Sequence, residues 1–587
     1  MDASPSKAAE AAPDRLFLTG GEALARVLRS CGIANIYGVV GGAFAPFLGA
    51  VSRSNELRYV GVRHEASGGF MAAAEFYSTG RLAVCIGEQG PGGLNLLSGL
   101  GTAFNNNLAL LAITTNVPLV SAYPHEGKLM DANHKRLYEG LTKWNAVVND
   151  VSRLPALVRM AVRAALTGCP APVHLDIPGD MLVESHEFSI GELDLPMDRF
   201  LPSGRSPAPQ PAVARAAELL QKARRPLVIA GGGVTHSEAQ APLLALLDGI
   251  GAAATATMTG IGAIPSDHPG FIGHSGVIGG PVIARAMREA DVILAIGCRF
   301  SSYMWDGAEQ TVRGWPEQDL IQIDIDPERL GRAAPLAVGL LGDARAVLEQ
   351  LLAALGSTGP SAAAASWRRE LAAAFATYTT TLTAAGDWHE GLIHPAALAR
   401  RIGAFLGTGG LVVLDGGHTC FWGNALTPVA APRTRFNDAC MAQLGFGTPF
   451  AIGLKHLHPN QTVVNITGDG SFGFTLAELD TARRHGLPVI NIIHNNASWG
   501  IIRAGQNMHG FELGADLAGT DYAAVARAFG CFGERVTDPD EIEPALRRAI
   551  ASNLPAVLDV QVAFVPHPQM APFGRMGLAQ PRSAVRS

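Results

Sequence analysis

Charged side chains are scarce in this chain, 16% of residues against 48% apolar ones. That balance excludes an intrinsically disordered protein, because ample apolar surface is available to offset the entropy of folding. Basic runs are missing too. Lys and Arg are scattered, none forms a stretch interleaved with aromatics, and the net charge is −6. Nothing in that distribution would gather nucleic acid or an anionic membrane. No window holds 18 consecutive apolar residues, so no transmembrane helix is expected. The seven cysteines (Cys31, Cys85, Cys169, Cys298, Cys420, Cys440 and Cys531) form no CxxC and no Cys/His metal spacing. An odd, sparse set suits a reducing compartment. Residues 1–15 are rich in Ala, Ser and Pro and lack the apolar core of a signal peptide, which marks a loose tail. These absences together point to a soluble cytoplasmic protein with neither membrane nor nucleic-acid partner.

What is present is an α/β pattern repeated three times. The 587 residues suffice for three or four domains at roughly 150 residues each. Short apolar runs end in Gly-rich turns and lead into amphipathic helices, as in units built on parallel sheets. In residues 16–186 the strand-like runs are 33–40, 59–62, 82–87, 108–115 and 173–177, with helical patterns at 21–30, 64–78, 94–104 and 154–166. Residues 187–211 contain PSGRSPAPQP and read as a linker. A second segment, 212–356, opens on a strand ending in Gly231-Gly232-Gly233 and includes strands 292–296 and 320–325. The Ala-, Ser- and Thr-rich stretch 357–392 is a further linker carrying a helix. The third segment, 393–565, holds strands 411–414, 463–466, 489–493 and 557–560, and residues 566–587 form a C-terminal tail.

The strongest chemical signal lies in the third segment. Gly468-Asp469-Gly470-Ser471 ends one apolar strand, Asn495-Asn496 ends another, and 24 residues lie between Gly470 and Asn495. Alone, Gly-Asp-Gly is ordinary turn chemistry and Asn-Asn is common in loops. At the ends of two parallel strands they converge on one crevice, where open α/β sheets bind ligands. A hard cation such as Mg²⁺ takes an octahedron of oxygens, and here Asp469 offers a charged oxygen and Asn496 a neutral one. Gly468 and Gly470 permit a tight turn. The amides beyond Gly470, entering a helix expected at about Thr475, can face an anion.

This constellation resembles the diphosphate-binding domain of thiamine-diphosphate enzymes, whose signature is GDG, 24 to 27 residues, then NN. Leu444-Gly445-Phe446-Gly447-Thr448-Pro449 resembles that family's "MGFGLP" run, and Asp415 to Trp422 resembles "DVGQHQMW". The resemblance implies thiamine diphosphate and Mg²⁺ as cofactors. Asp469, Asn496 and the main-chain carbonyl of Ser498 would then be metal ligands. Gly417, His418, Thr419, Gly468, Gly470 and Ser471 would line the diphosphate, with Leu444 as the apolar support under the cofactor.

In the first segment Arg63-His64-Glu65 leads into the small-residue run Ala66 to Ala72. A carboxylate opening a buried helix is unusual unless it caps the helix or serves a ligand. The run resembles the "RHE" helix of the family's pyrimidine-binding domain. Gly38 to Ala43 resembles "GxPGGA" with Val40 in place of Pro, and Gln89 to Asn95 resembles "SGPGATN". The resemblance makes Glu65 the catalytic acid that hydrogen-bonds the aminopyrimidine, and places Val40, Gly41 and Gln89 near substrate. It also implies a homo-oligomer, a dimer at least and commonly a tetramer, because the family builds each site across two subunits.

The middle segment resembles the family's central domain, with Leu320 to Pro327 matching an "IDID" strand. That domain holds FAD in acetolactate synthases and ADP in oxalyl-CoA decarboxylases. Two departures weigh against FAD here: Cys169-Pro170-Ala171-Pro172-Val173 loses an arginine from "RPGPV", and Arg299-Phe300-Ser301-Ser302-Tyr303 loses two acids and a base from "RFDDR".

The resemblance spans residues 16 to 565 in the domain order of acetolactate synthases: pyrimidine-binding, central, diphosphate-binding, each a doubly wound parallel-sheet domain. The activity implied is a carboligase or lyase acting on 2-oxo acids or related small carbonyl compounds. Alternatives are a 2-hydroxyacyl-CoA lyase, an oxalyl-CoA decarboxylase-like lyase and a sulfoacetaldehyde acetyltransferase-like transferase. Where acetolactate synthases carry "AFQE", this chain has Lys128-Leu129-Met130-Asp131, which weakens the case for pyruvate self-condensation. Glu88, Gln89, Asn107, His125, His134 and His494 are polar groups near loop mouths that could meet substrate, though each reads more readily as solvated or structural than as catalytic. The arginines of the C-terminal tail, Arg575, Arg582 and Arg586, belong to a segment that either closes over the site or hangs free. A nicotinamide oxidoreductase lacks a strand-anchored GxGxxG, and a non-catalytic scaffold would have lost Glu65 or Asp469.

Overall fold

The computed structural model describes residues 14–276, 278–301, 312–356, 359–438 and 440–570. Three six-stranded parallel sheets organise them. The first contains β1 (Asn35–Gly38), β2 (Arg58–Gly61), β3 (Val84–Gly87), β4 (Leu111–Asn116), β5 (Asn145–Val147) and β6 (Val173–Pro178), in the order β2-β1-β3-β4-β6-β5. Helix α1 (Glu65–Thr79) follows β2, and α2 (Pro91–Asn106) follows β3. The second sheet contains β7 (Pro226–Ala230), β8 (Ala253–Ala256), β9 (Phe271–His274), β10 (Val292–Ile296), β11 (Asp319–Asp324) and β12 (Val338–Leu341), in the order β9-β8-β7-β10-β11-β12. Helix α3 (Ala362–Thr383) then leads to the third sheet: β13 (Leu411–Asp415), β14 (Arg435–Asn437), β15 (Val463–Gly468), β16 (Ile490–Asn495), β17 (Phe532–Val536) and β18 (Ala556–Gln561). Its order is β14-β13-β15-β16-β18-β17, the first sheet's pattern repeated.

The chain adopts the expected α/β class with three parallel-sheet domains. It divides into two compact units: the first holds the first sheet, and the second, which begins at Ser203 and also takes in residues 73–80 and 101–108, holds the other two. Central strands such as β4 and β6 are buried along their whole length, so they read as continuous apolar runs rather than alternating ones. The small residues of α1 have a packing reason. A Cβ on Gly68 would meet the main chain of Tyr37 at 3.1 Å, and one on Gly69 would meet Gly99 at 2.9 Å. Only a nearly bare helix seats that closely on β1 and α2.

Several elements depart from the sequence expectations. A strand begins at Arg15, inside the expected tail, and Arg15–Thr19 pairs antiparallel with Ser185–Ser189, whose last residues lie in the expected 187–211 linker. Strands β8, β9 and β12 are absent from the pattern reading because Ala, Gly and His dilute their apolar signal. Among the described residues, no helix is long and apolar enough to cross a membrane. Residues 1–13 and 571–587, the latter with Arg575, Arg582 and Arg586, lie outside the described residues, as do Ser302 and Tyr303 of the flavin-loop comparison.

What the fold positions is the switch point. In the third sheet the strand order reverses between β13 and β15, and in the first between β1 and β3. The loops leaving those strands diverge to opposite faces, which opens a crevice at the carboxyl edge.

Candidate cofactor crevice

In the third sheet the strand ends are in register: Asp415 lies opposite Thr467, and Gly468 opposite His494. Beyond them opens a cavity of about 280 Å³. Gly417, His418, Thr419, Leu444, Gly468, Asp469, Gly470, Ser471, Asn496 and Ser498 all line it, so every residue expected around a diphosphate and its metal is brought together. Met258, Gln443, His494, Trp499, Ile501 and Ile502 are among the other residues of the wall. Of these the sequence reading named only His494, as a polar group near a loop mouth, and for Met258, which follows β8, it held no signal.

Local geometry explains the glycines. Gly416 has φ +97°, a conformation that lets the chain turn sharply from β13 into helix α4 (Gly417–Leu426). A Cβ on Gly470 would stand 2.5 Å from the Trp499 ring. Helix α5 (Asp469–Thr475) starts at Asp469 with Gly468 as its N-cap, not at about Thr475 as expected. Gly-Asp-Gly carries turn composition, but here its second residue is already helical, and Thr475 closes the helix with its hydroxyl donating to the Gly445 carbonyl at 2.7 Å. The first-turn amides of α4 and α5 therefore border the cavity.

Asp469 is 3% exposed. Its Oδ1 accepts the Gly470 amide at 2.9 Å, while Oδ2 is buried with no hydrogen-bond partner. Burial lifts its pKa to about 6, and amides of Gly470, Ser498 and Ala497 pull the other way. A buried carboxylate oxygen without a donor is destabilising unless something positive meets it. Asn496 Oδ1 accepts from the Ser498 amide at 3.2 Å and hydroxyl at 3.1 Å, in a turn that Ala497 closes at φ +51°. Among the described residues no three His, Cys, Asp or Glu side chains form a metal cluster. A cation held here would take one carboxylate plus amide, main-chain and ligand oxygens, a donor set suited to Mg²⁺ with a bound diphosphate. The orphaned Asp469 oxygen fits that group.

Beside Asp469 the wall carries one further carboxyl, Asp438, whose pKa burial raises, and two histidines. His418 and His494 stack with ring centroids 6.0 Å apart, and burial lowers their pKa values to about 4 and about 3. His494 is thus buried in the crevice wall rather than solvated. Asp415 accepts the amides of Gly447 at 3.0 Å and Gly445 at 3.3 Å, which ties the Leu444 loop to the end of β13. Burial raises its pKa to about 7. Sequence reasoning quoted Asp415 in its motif without giving it this task.

In the first unit, Glu65 opens α1 and is 8% exposed. Asn95 Nδ2 donates to its Oε2 at 3.0 Å, and a Cβ on Gly92 would lie 3.1 Å from its Oε1. Asn95 ends the Gln89–Asn95 run, and its partnership with Glu65 was not foreseen. Gln89 donates its amide to Thr115 Oγ1 at 3.0 Å. Val40 is 66% exposed, and Gly41 packs on Glu88, whose Oε2 a Cβ would strike at 1.8 Å. Glu88 Oε1 accepts the Ala43 amide at 2.9 Å. His134 is fully buried between Asp176 and the Gly90 carbonyl, whereas the half-exposed His125 pairs at 2.9 Å with the buried carboxylate of Asp131.

The second sheet supplies less support for a nucleotide. Gly231 and Gly233 would each drive a Cβ into the main chain of Gly297, at 2.2 and 2.6 Å. Close backbone packing accounts for these glycines without a ligand.

Sequence profiles of three families match in order: the N-terminal thiamine pyrophosphate (TPP) binding domain over residues 18–135, the central domain over 213–351 and the C-terminal TPP binding domain over 415–560. A probable acetolactate synthase large subunit of Methanocaldococcus jannaschii is 30% identical over 578 residues, 96% of this chain and 95% of that protein. The acetolactate synthase of Mycobacterium bovis is 30% identical over 558 residues, 92% and 88% of the two chains. A sulfoacetaldehyde acetyltransferase of Rhodobacter capsulatus is 29% identical over 591 residues, 96% and 97%. With its strand-end crevice, its three matched domains and relatives aligned from end to end, the chain belongs to the thiamine pyrophosphate enzymes and is acetolactate synthase-like.

Proposed function

We propose that this protein is a thiamine-diphosphate- and Mg²⁺-dependent carboligase that joins or cleaves carbon–carbon bonds beside a carbonyl, with 2-oxo acids or related small carbonyl compounds as substrates. The observation carrying it is the buried, unpartnered Oδ2 of Asp469 at the switch point of the third sheet. Asp469, Asn496 and the Ser498 carbonyl would hold the metal, and the α4 and α5 amides the diphosphate. Thiamine diphosphate, when bound, supplies a carbon acid that renders a carbonyl carbon nucleophilic.

The chain's own residues do the rest. Asp469 neutralises the cation. Leu444, fixed through Asp415, gives an apolar bed, and Met258, Ile501 and Trp499 exclude water, which strengthens each polar contact inside. Glu65, oriented by Asn95, would hydrogen-bond the pyrimidine ring, the positioned acid–base partner that a weak carbon acid needs. In this reading Glu65 of one subunit serves the crevice of another, so the working form is a homodimer or tetramer in the cytoplasm.

A second reading, transfer of the activated group to an acceptor other than a 2-oxo acid, draws on the Lys128–Asp131 loop and on the end-to-end similarity to a sulfoacetaldehyde acetyltransferase. Titration calorimetry with thiamine diphosphate, with and without Mg²⁺, tests the cofactor assignment: saturable, metal-dependent uptake is expected, and its absence refutes the proposal. Product analysis with pyruvate alone, then with added sulfoacetaldehyde, separates the two readings.

A further inference from the structure

A second cavity, of about 340 Å³, lies in the same unit and shares no lining residue with the cofactor crevice. Its walls are β9, α3, the C-terminal end of α4 and His567. Most of the lining is apolar, with Phe271, Ile272, Ile283, Phe375 and Leu382 among it. Gly231, Gly233 and Gly297, where a central-domain nucleotide would sit, take no part.

Three buried polar atoms on this wall have no hydrogen-bond partner: Nδ1 of His274, Oδ1 of Asn424 and Nε2 of His567. The residues are 9%, 4% and 2% exposed. Native interiors leave few such groups, and three around one cavity is a concentration that calls for a ligand. Their chemistry follows from their other bonds. Asn424 Nδ2 donates to the Cys420 carbonyl at 2.9 Å, which leaves its unpartnered oxygen as an acceptor. The His567 Nδ1 accepts the Gln569 amide at 3.1 Å, so the proton resides on Nε2, a donor. His274 interacts with the Ala256 carbonyl through its other nitrogen, which leaves Nδ1 as an acceptor. Burial lowers both imidazoles to about 3, and the buried Arg435 adds to the effect on His274, so both stay neutral. Among the described residues, Arg400 is the only charged side chain lining the cavity, and it is already paired with Asp387.

We propose that this cavity is a second small-molecule site, for an uncharged ligand with an apolar or aromatic body and a carboxamide-type head. The head's N–H donors would meet His274 Nδ1 and Asn424 Oδ1, its carbonyl would accept from His567 Nε2, and the body would fill the Phe271–Phe375–Leu382 pocket. The volume falls within the ordinary range for ligand pockets. A charged carboxylate would face two acceptors, and a plain hydrocarbon would leave all three polar atoms unmet.

Calorimetry on the full chain with benzamide, benzoate and toluene as probes tests this. Benzamide is expected to bind saturably, roughly in the millimolar range or tighter for so small a probe, and at least about tenfold more tightly than the other two. His274→Phe should weaken benzamide by about tenfold, and Leu382→Trp, which fills the cavity, should abolish binding. Both variants should still take up thiamine diphosphate, which reports an intact fold, and Thr379→Trp replaces Leu382→Trp if the latter does not fold. The proposal is overturned if benzamide does not bind, if benzoate or toluene binds as well, or if both variants bind it undiminished.

Discussion

Asp469 and Glu65 are both buried carboxylates, yet their surroundings divide the work between them. Asp469 keeps one oxygen without a donor, and burial pushes its pKa up to about 6. In the ligand-free protein that oxygen is a burden, and with a cation present it is the main attraction. Asp469→Asn should therefore act with opposite signs on two observables. Mg²⁺-dependent uptake of thiamine diphosphate should weaken at least about tenfold, because a charge-assisted contact is lost, while the thermal midpoint of the cofactor-free protein stays equal or rises. A drop in both would mean that Asp469 is structural. Glu65 is held by Asn95 instead, and a glutamine keeps that hydrogen bond by presenting its carbonyl to Asn95 Nδ2. Glu65→Gln should leave cofactor and metal binding within about twofold and lower kcat by about a hundredfold or more. Steady-state kinetics beside calorimetry reads both, and a variant retaining most of its turnover would remove Glu65 from the chemistry.

At the scale of elements, the third sheet works because strand ends and loops are tied together. Asp415 bonds two amides of the loop that carries Leu444. Asp415→Ala leaves both amides buried and unpaired, a loss of about 2–4 kcal/mol. Faster hydrogen exchange at Gly445 and Gly447 and weaker cofactor uptake should follow together, with Asp469 untouched. Unchanged exchange at those amides would show that other contacts hold the loop. This tie was hard to read in the sequence, since Asp415 and Gly447 stand far apart in the chain and meet only through the fold. What was legible has a common physical origin. Strands β13, β15, β16 and β18 are buried on both faces and rich in Val, Ile and Leu, and the motifs sit where those runs stop, so Asp469 and Asn496 stood out from pattern and spacing, whereas Glu65 stood out only through the resemblance of its run. The short edge strands β5, β14 and β17 carry polar residues, and the Ala-rich β8 lacks β-branched bulk, so no periodicity marked them. The start of α5 was misjudged for a related reason: Gly-Asp-Gly has turn composition, and the close approach of Gly470 to the Trp499 ring is a contact that only the fold reveals.

For the whole molecule, buried histidines make stability depend on pH. His174, His274 and His567 have folded-state pKa values lowered by burial to about 3, against an ordinary value of 6.5. As the pH falls below about 6.5 the unfolded chain binds protons that the folded chain refuses, so these groups contribute stability above that pH and lose it on acidification. Each is worth up to about 2 kcal/mol between pH 6.5 and 5. Asp415 works the other way: its folded pKa of about 7 lies above the ordinary value of 3.8, so its penalty is relieved as the pH falls from 7. His236, His418 and His494 are lowered by burial alongside these three, and together the histidines outweigh Asp415 and Asp469, the two carboxyls that burial raises most, so the thermal midpoint of the cofactor-free protein should fall between pH 7 and pH 5. Calorimetry at one scan rate measures it. His567→Gln, which loses a titrating group without adding charge, should flatten the decline, whereas a midpoint that rises toward pH 5 would show that buried carboxyls rather than imidazoles set the acid response of this fold.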